Sequence, residues 1–213
     1  MRTLPHGYTN DTRSDGAVVV KRYVGPDEAR RWATERDFLL RLAGLLPVPV
    51  VLAARPGELH LSHLPGVHGQ ELIAAGRAGP VLRSCGALVT RLTELGVTHS
   101  DYGPNNMLFD PRTHEVTAIL DWEWAHEGGT GLEDLAWCEW IVRTHHPTET
   151  PALTELYAGY GSRPPWPGRQ AAMLAKCRQM LALRRALGAD DPGYARWQHL
   201  IEATAAWEEL TVP

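Results

Sequence analysis

Apolar positions follow two regimes along the chain. Up to residue 63 they come in short runs and alternations, and beyond it they recur at helical spacing. Ala17-Val18-Val19-Val20-Lys21-Arg22-Tyr23 is short and β-branched, which suits a strand. The turn-forming stretches Gly7-Tyr8-Thr9-Asn10-Asp11 and Ser14-Asp15-Gly16 make residues 1–24 read as two strands around a turn. Gly25-Pro26-Asp27 breaks that pattern, with Asp27 expected as a helix N-cap. Over 28–43, Trp32, Phe38, Leu39 and Leu42 fall mostly on one helical face, and Gly44 can end the helix. Residues 48–54 and 58–63 read as a hairpin around Arg55-Pro56-Gly57. After Leu64-Pro65-Gly66 the period becomes helical. Val81, Leu82, Cys85, Leu88, Val89, Leu92 and Leu95 make one apolar face closed by Gly96. A polar loop over 98–105 follows, then a hairpin of 107–109 and 116–120 around Asp110-Pro111. Helical patterns then cover 132–145, 151–160, 169–187 and 193–210. Strands first and helices after is an α+β order, not an alternating parallel-sheet one. It divides the chain into a small β-rich region, 1–63, and a mainly helical one, 64–213.

Composition narrows the classes without naming a function. Apolar residues make up 44% and charged residues 22% of the 213, enough for a buried core and far from a disordered composition. The net charge is −4 with no basic run, so no nucleic-acid footprint is expected. The longest apolar stretch, 45–54, is interrupted by Pro47 and Pro49 and cannot span a membrane. The first residues lack the apolar core of a signal peptide. Cys85, Cys138 and Cys177 are scattered, so reduced thiols and a cytoplasmic location are expected. Of 21 basic residues only Lys21 and Lys176 are lysine. A GC-rich coding sequence accounts for the bias, yet each retained lysine is worth a look, because arginine could replace it wherever charge alone mattered.

The chemistry concentrates in His99-Ser100-Asp101-Tyr102-Gly103-Pro104-Asn105-Asn106 and in Leu120-Asp121-Trp122-Glu123. Phosphoryl transfer asks a protein for a group that orients and deprotonates the attacking hydroxyl and for oxygen ligands to magnesium. Asp101 can be the first. The Asn106 amide oxygen and the Asp121 carboxylate are hard ligands suited to Mg²⁺. Gly103-Pro104 bends the loop so that Asp101 and Asn106 can share a cleft, and the 107–120 hairpin can return Asp121 beside Asn106.

His99-x-Asp101-x4-Asn106 followed by Asp121 resembles the catalytic signature of the aminoglycoside phosphotransferase and choline kinase family, of which this would be a short member. The resemblance implies a bilobal protein-kinase-like fold with a small antiparallel β-rich N-lobe and a mainly helical C-lobe. It implies ATP as donor, with GTP possible, and Mg²⁺ as cofactor. The catalytic pair would be Asp101 and His99, His99 in an orienting role. Lys21 falls at the place of the lysine that contacts the phosphates, and Glu35 at that of the helix glutamate that pairs with it. The segment 4–10 resembles the small-lobe phosphate loop, which makes Gly7, Thr9 and Asn10 nucleotide contacts. Residues 61–66 resemble the hinge, where the Ser62 carbonyl and the Leu64 amide would hold adenine. Asp134, in Gly131-Leu132-Glu133-Asp134-Leu135-Ala136, resembles the aspartate that steadies the catalytic loop. Ser100 stands where the family usually has glycine.

The expected acceptor is a small molecule with a hydroxyl: an antibiotic or similar sugar-containing compound, with choline, an amino sugar or a homoserine-like metabolite as the alternative. Glu123, Trp124, His126, Glu127, Glu133, Trp137, Glu139 and Trp140 lie near the catalytic end. Carboxylates there would favour a cationic acceptor. Glu123 and Trp124, next to a metal ligand, are the expected acceptor contacts. A metallohydrolase is disfavoured because no His-x3-His or His-Glu-x-x-His occurs among the ten histidines. A nucleotide-binding pseudo-kinase is disfavoured because Lys21, Asp101, Asn106 and Asp121 are all filled. A monomer or homodimer is expected. Lys21 is the lysine with a mechanistic reason, whereas Lys176, on a helix rich in Ala, Arg and Gln, is expected to be ordinary surface charge.

Overall fold

The computed structural model describes residues 2–3, 10–186, 188 and 191–211. Strand β1 (Arg2–Thr3) pairs with β2 (Asn10–Ser14), which turns back into β3 (Val18–Tyr23). The turn is built by Asp15, whose side chain accepts hydrogen bonds from the amides of Ala17 and Val18 at 3.0 and 2.9 Å. Helix α1 (Glu28–Leu42) follows, then the hairpin β4 (Val51–Arg55) and β5 (Glu58–Ser62). These strands form one antiparallel sheet in the order β1-β2-β3-β5-β4.

Helix α1 departs from expectation at two points. Asp27 has φ 56° and makes no side-chain cap bond. An N-cap needs extended backbone to reach the first amides. In the left-handed conformation the carboxylate turns outward and pairs with Arg30 at 3.1 Å. The buried stripe is Arg31, Glu35, Leu39 and Leu42, so two charged residues occupy the inner face.

The helical region opens with two short elements that carry too few residues to show a period, β6 (Val67–His68) and α2 (Gly69–Ala74). Helix α3 (Ala78–Glu94) buries Val81, Leu82, Cys85, Val89 and Leu92. Then come β7 (Val97–Thr98), a 3-10 turn at Pro104–Asn106, and the hairpin of β8 (Met107–Phe109) and β9 (Val116–Ile119). β6 adds to β8, and β10 (His126–Glu127) pairs with β7. Four helices complete the chain: α4 (Leu132–His145), α5 (Leu153–Tyr160), α6 (Trp166–Ala186) and α7 (Pro192–Ala206). α4 is central, apolar on nearly every side and buried from Asp134 to Val142. α3 and α5 cross with almost no gap. A methyl on Gly86 would lie 2.0 Å from the Leu156 carbonyl oxygen, and one on Gly159 would lie 2.1 Å from that of Arg83. Any side chain at this crossing forces the helices apart.

The last helix stops earlier than its pattern, at Ala206. Beyond it the backbone turns extended, and the carbonyls of Glu208 and Leu210 accept hydrogen bonds from Arg143 and Arg163. The core is in two parts. The larger runs from Tyr23 and Leu39 through α3 to Leu135 and Leu156. The smaller, between α4, α6 and α7, holds Trp137, Trp140, Ile141, Met173 and Cys177, with Trp166, Trp197 and Trp207 packed against it. The three cysteines are buried free thiols. Among the described residues no helix is long and apolar enough to cross a membrane.

Candidate active site

Lys21 lies on the central strand β3 and its side chain is buried. Its Nζ lies 2.6 Å from Glu35 Oε2 and 2.6 Å from Asp121 Oδ1. Glu35 faces it from α1 and also accepts the Tyr23 hydroxyl proton at 2.6 Å. Burial works against the lysine's charge, but the Asp121 and Glu35 carboxylates reverse that and hold it well above the ordinary lysine range. The same burial raises the Glu35 carboxyl, with Lys21 opposing.

The loop between β7 and the 3-10 turn is held from below by Asp134. Its two carboxylate oxygens accept the amides of His99 at 2.9 Å and Ser100 at 2.8 Å. Burial pushes the Asp134 carboxyl up to about 7, against the two amides that favour its anion. His99 Nε2 donates to the Leu120 carbonyl at 2.8 Å, and Nδ1 accepts from the Asp101 amide at 3.2 Å. These bonds fix one neutral tautomer. Burial lowers the imidazole's pKa in the same sense, against the nearby Asp101 carboxylate. His99 thus ties the 99–101 backbone to the end of β9. Ser100 has φ 67° and Asp121 φ 61°, left-handed values that cost a residue with a side chain about 1–3 kcal/mol and tend to collect at functional sites.

Asp101 is gripped at both oxygens. Trp137 Nε1 donates to Oδ1 at 3.0 Å and Asn106 Nδ2 to Oδ2 at 2.8 Å. Asn106 also donates to the Asp101 carbonyl at 2.8 Å, and its own carbonyl accepts the Leu120 amide at 2.8 Å. That last bond brings the strand leading to Asp121 alongside Asn106. The Asn106 amide nitrogen faces Asp101, so its Oδ1 is left for a cation. Lys21 takes Asp121 Oδ1 and leaves Oδ2. Two hard oxygens from Asn and Asp fit Mg²⁺, which is held by one or two protein ligands together with substrate phosphates. Among the described residues no cluster of three or more His, Cys, Asp or Glu could hold a metal by itself.

Other expected contacts have different surroundings. Glu123 is buried. Its Oε2 receives Asn10 Nδ2 at 2.6 Å and Arg31 Nη1 at 3.1 Å and lies 3.7 Å from Lys21 Nζ. It braces β2 and α1 against the turn after Asp121, which replaces the acceptor contact expected of it. Asn10 is buried in the same brace, with its Oδ1 accepting from Arg31 at 3.0 Å. Gly7 and Thr9 lie outside the described residues. Trp124 is half-buried, with Arg30, Lys176 and Arg31 at 5.4, 5.5 and 6.0 Å from its ring. Ser62 ends β5 with its amide on the Val50 carbonyl at 2.9 Å, and Leu64, half-buried, follows in the irregular, largely exposed segment that leads to β6.

Two interior features carried no apolar signal. Arg31 was hidden in a helix read by its hydrophobic face, and its partner Glu123 is 92 residues away. Lys176, expected on the surface, is 3% exposed and donates to Ser100 Oγ at 3.4 Å. Its scarcity as a lysine was the one available sign.

A family model described as the phosphotransferase enzyme family matches residues 74–200. The complex of gentamicin with APH(2")-IIa superposes with a TM-score of 0.68 at 12% identity, covering 97% of this chain and 91% of that one. Macrolide 2'-phosphotransferase MphH from Brachybacterium faecium gives 0.60 at 20% identity, covering 98% and 93%. APH(3'')-Id from Streptomyces rimosus, with ADP and streptomycin, gives 0.64 at 16%, covering 81% and 90%. No curated protein matches the sequence. The family match over most of the chain, on a kinase-like fold shared with these enzymes, means that the chain belongs to the phosphotransferase enzyme family.

Proposed function

We propose that the protein moves the γ-phosphoryl group of ATP to a sugar hydroxyl of an antibiotic or similar small molecule, and that its role is to inactivate that molecule. The observation that carries this is the meeting of Lys21, Glu35, Asp101, Asn106 and Asp121, drawn from separate segments, within one chain of direct hydrogen bonds and backbone contacts. Phosphoryl transfer requires positioning and charge stabilisation more than covalent chemistry, and these groups supply both. Asp101 orients the attacking hydroxyl and accepts its proton, with Trp137 and Asn106 holding the carboxylate in place. Lys21 meets the phosphates and Glu35 aims it. Asn106 and Asp121 would hold Mg²⁺, which when bound offsets the charge of the phosphates. The Ser62 carbonyl and Leu64 amide would receive adenine, and Gly7 and Thr9 stay in the proposed phosphate loop. Trp124 offers a ring face to the acceptor. Solved structures of similar fold are named for gentamicin, streptomycin and a macrolide, which supports an antibiotic as acceptor class.

Incubation with Mg·ATP, and separately Mg·GTP, against aminoglycosides, macrolides, nucleoside antibiotics, amino sugars and choline tests the proposal. Mass spectrometry is expected to find one added phosphoryl group on an antibiotic. Transfer confined to choline or a simple amino sugar would replace the inactivation role with a metabolic one.

A further inference from the structure

The carboxylates near the catalytic end are all engaged within the protein. Glu123 is bound by Arg31 and Asn10, Glu139 by Arg143 and Arg169, and Glu127 by Arg41. Glu133 accepts from the Ser100 hydroxyl and contacts His126 at 3.2 Å. The cation nearest Asp101 without a direct carboxylate partner is Lys176. Lys176 reaches in from α6 and is 3% exposed, and among the described residues no carboxylate oxygen lies within 4.0 Å of its Nζ. Its single hydrogen bond, to Ser100 Oγ, is long at 3.4 Å. Its other neighbours are the ring faces of Trp124 at 5.5 Å and Trp137 at 6.0 Å. An ammonium has three donors, and two of these have no oxygen to meet. Burial lowers its pKa, while the Asp101 and Glu133 carboxylates favour its charge.

Methionine would fill this aromatic slot without a charge to desolvate, so a buried ammonium here calls for a reason other than packing. Its position supplies one. One Asp101 oxygen is bound to Asn106, whose carbonyl accepts the Leu120 amide next to Asp121 on the proposed phosphate side. The other is bound to Trp137, whose ring lies 6.0 Å from Lys176 Nζ. The acceptor must meet Asp101 from the side that the nucleotide does not occupy.

We infer that Lys176 is a specificity-determining residue of the acceptor site, binding an acceptor oxygen between the Trp124 and Trp137 rings and selecting a neutral or anionic sugar over a polycation. The inference rests on the acceptor chemistry proposed above and narrows its substrate class.

The test is calorimetric titration of the Mg·ADP-loaded protein with glucuronate, glucose, glucosamine and kanamycin. Glucuronate is expected to bind most tightly and the amines most weakly. Lys176→Met should weaken glucuronate about tenfold or more, the size of one charge-assisted hydrogen bond, and level the order. Its melting temperature should stay at or above that of the wild type, and Lys176→Arg should keep the order. Preference of the wild type for glucosamine or kanamycin overturns the inference, and so does a failure of glucuronate to bind up to its solubility. Unchanged glucuronate affinity in Lys176→Met overturns it as well, as does equal loss in both variants with a lowered melting temperature. These readouts are binding measurements. Absence of phosphoryl transfer to every antibiotic would instead count against the proposed function, whatever the order of binding.

Discussion

Asp101→Asn is expected to lower kcat by about 10³-fold, within the range ascribed to a positioned general base, while leaving ATP affinity unchanged. The amide cannot accept the hydroxyl proton. Nor can it reproduce the local bonding. Both Asp101 oxygens face N–H donors, Trp137 Nε1 at 3.0 Å and Asn106 Nδ2 at 2.8 Å, and an amide presents only one acceptor oxygen. One of those bonds must turn donor against donor. The variant should therefore also lose about 1–3 kcal/mol of stability. Nucleotide affinity is spared because Lys21, which contacts Glu35 and Asp121, does not touch Asp101, and because the new amide can keep its oxygen on Asn106 Nδ2 and give up the Trp137 bond. Steady-state kinetics on the acceptor found by mass spectrometry, with nucleotide titration alongside, checks this. A kcat within experimental error of the wild type would remove Asp101 from proton transfer.

Arg169→Ala is expected to destabilise the fold by about 3–5 kcal/mol, the cost of breaking a buried ion pair from one side. Arg169 is fully buried. Nη1 contacts Glu139 Oε2 and the Tyr157 hydroxyl, each at 2.6 Å, Nη2 contacts Glu209 at 2.7 Å, and Nε donates to the Pro164 carbonyl at 2.8 Å. One guanidinium thus joins α4, α5, α6 and the extended C-terminal segment. Its removal leaves the Glu139 carboxylate, also fully buried, with Arg143 as its remaining cation. For a chain of this size the loss corresponds to roughly 10 °C in melting temperature. Adding Glu139→Gln should recover part of it, because the stranded charge is then gone. Thermal unfolding of the single and double variants decides the matter, and a single variant that melts with the wild type would show the network to be dispensable.

Much of the architecture could be read before any coordinates, for a physical reason. Strands such as 18–23 and helices such as 78–94 are specified by local alternation and by period. Lys21, Glu35, Asp101, Asn106 and Asp121 could be proposed as a group because their order along the chain is itself a pattern. Interior charges gave no such pattern. Arg31 and Glu123 are buried because they meet each other across 92 residues, and each alone looks like a solvated charge. Lys176 looks like a solvated charge on the same ground: its helix is rich in Ala, Arg and Gln, and only the two indoles and Ser100 show where it points. Short elements such as α2, and the early end of α7, depend on tertiary partners and not on a local repeat.

The indole that donates to Asp101 does not stand alone. Trp137 stacks on Trp140 at 4.3 Å between ring centroids, and Trp197 from α7 lies 5.6 Å from Trp140, all close to parallel. Rings this close couple their electronic transitions, so they absorb as one asymmetric chromophore and not as three. The near-ultraviolet circular dichroism of the protein should carry a signal for the seating of α7 against the helix whose Trp137 donates to Asp101. Loosening at the C-terminal end would then be visible optically beside Asp101, with no label attached.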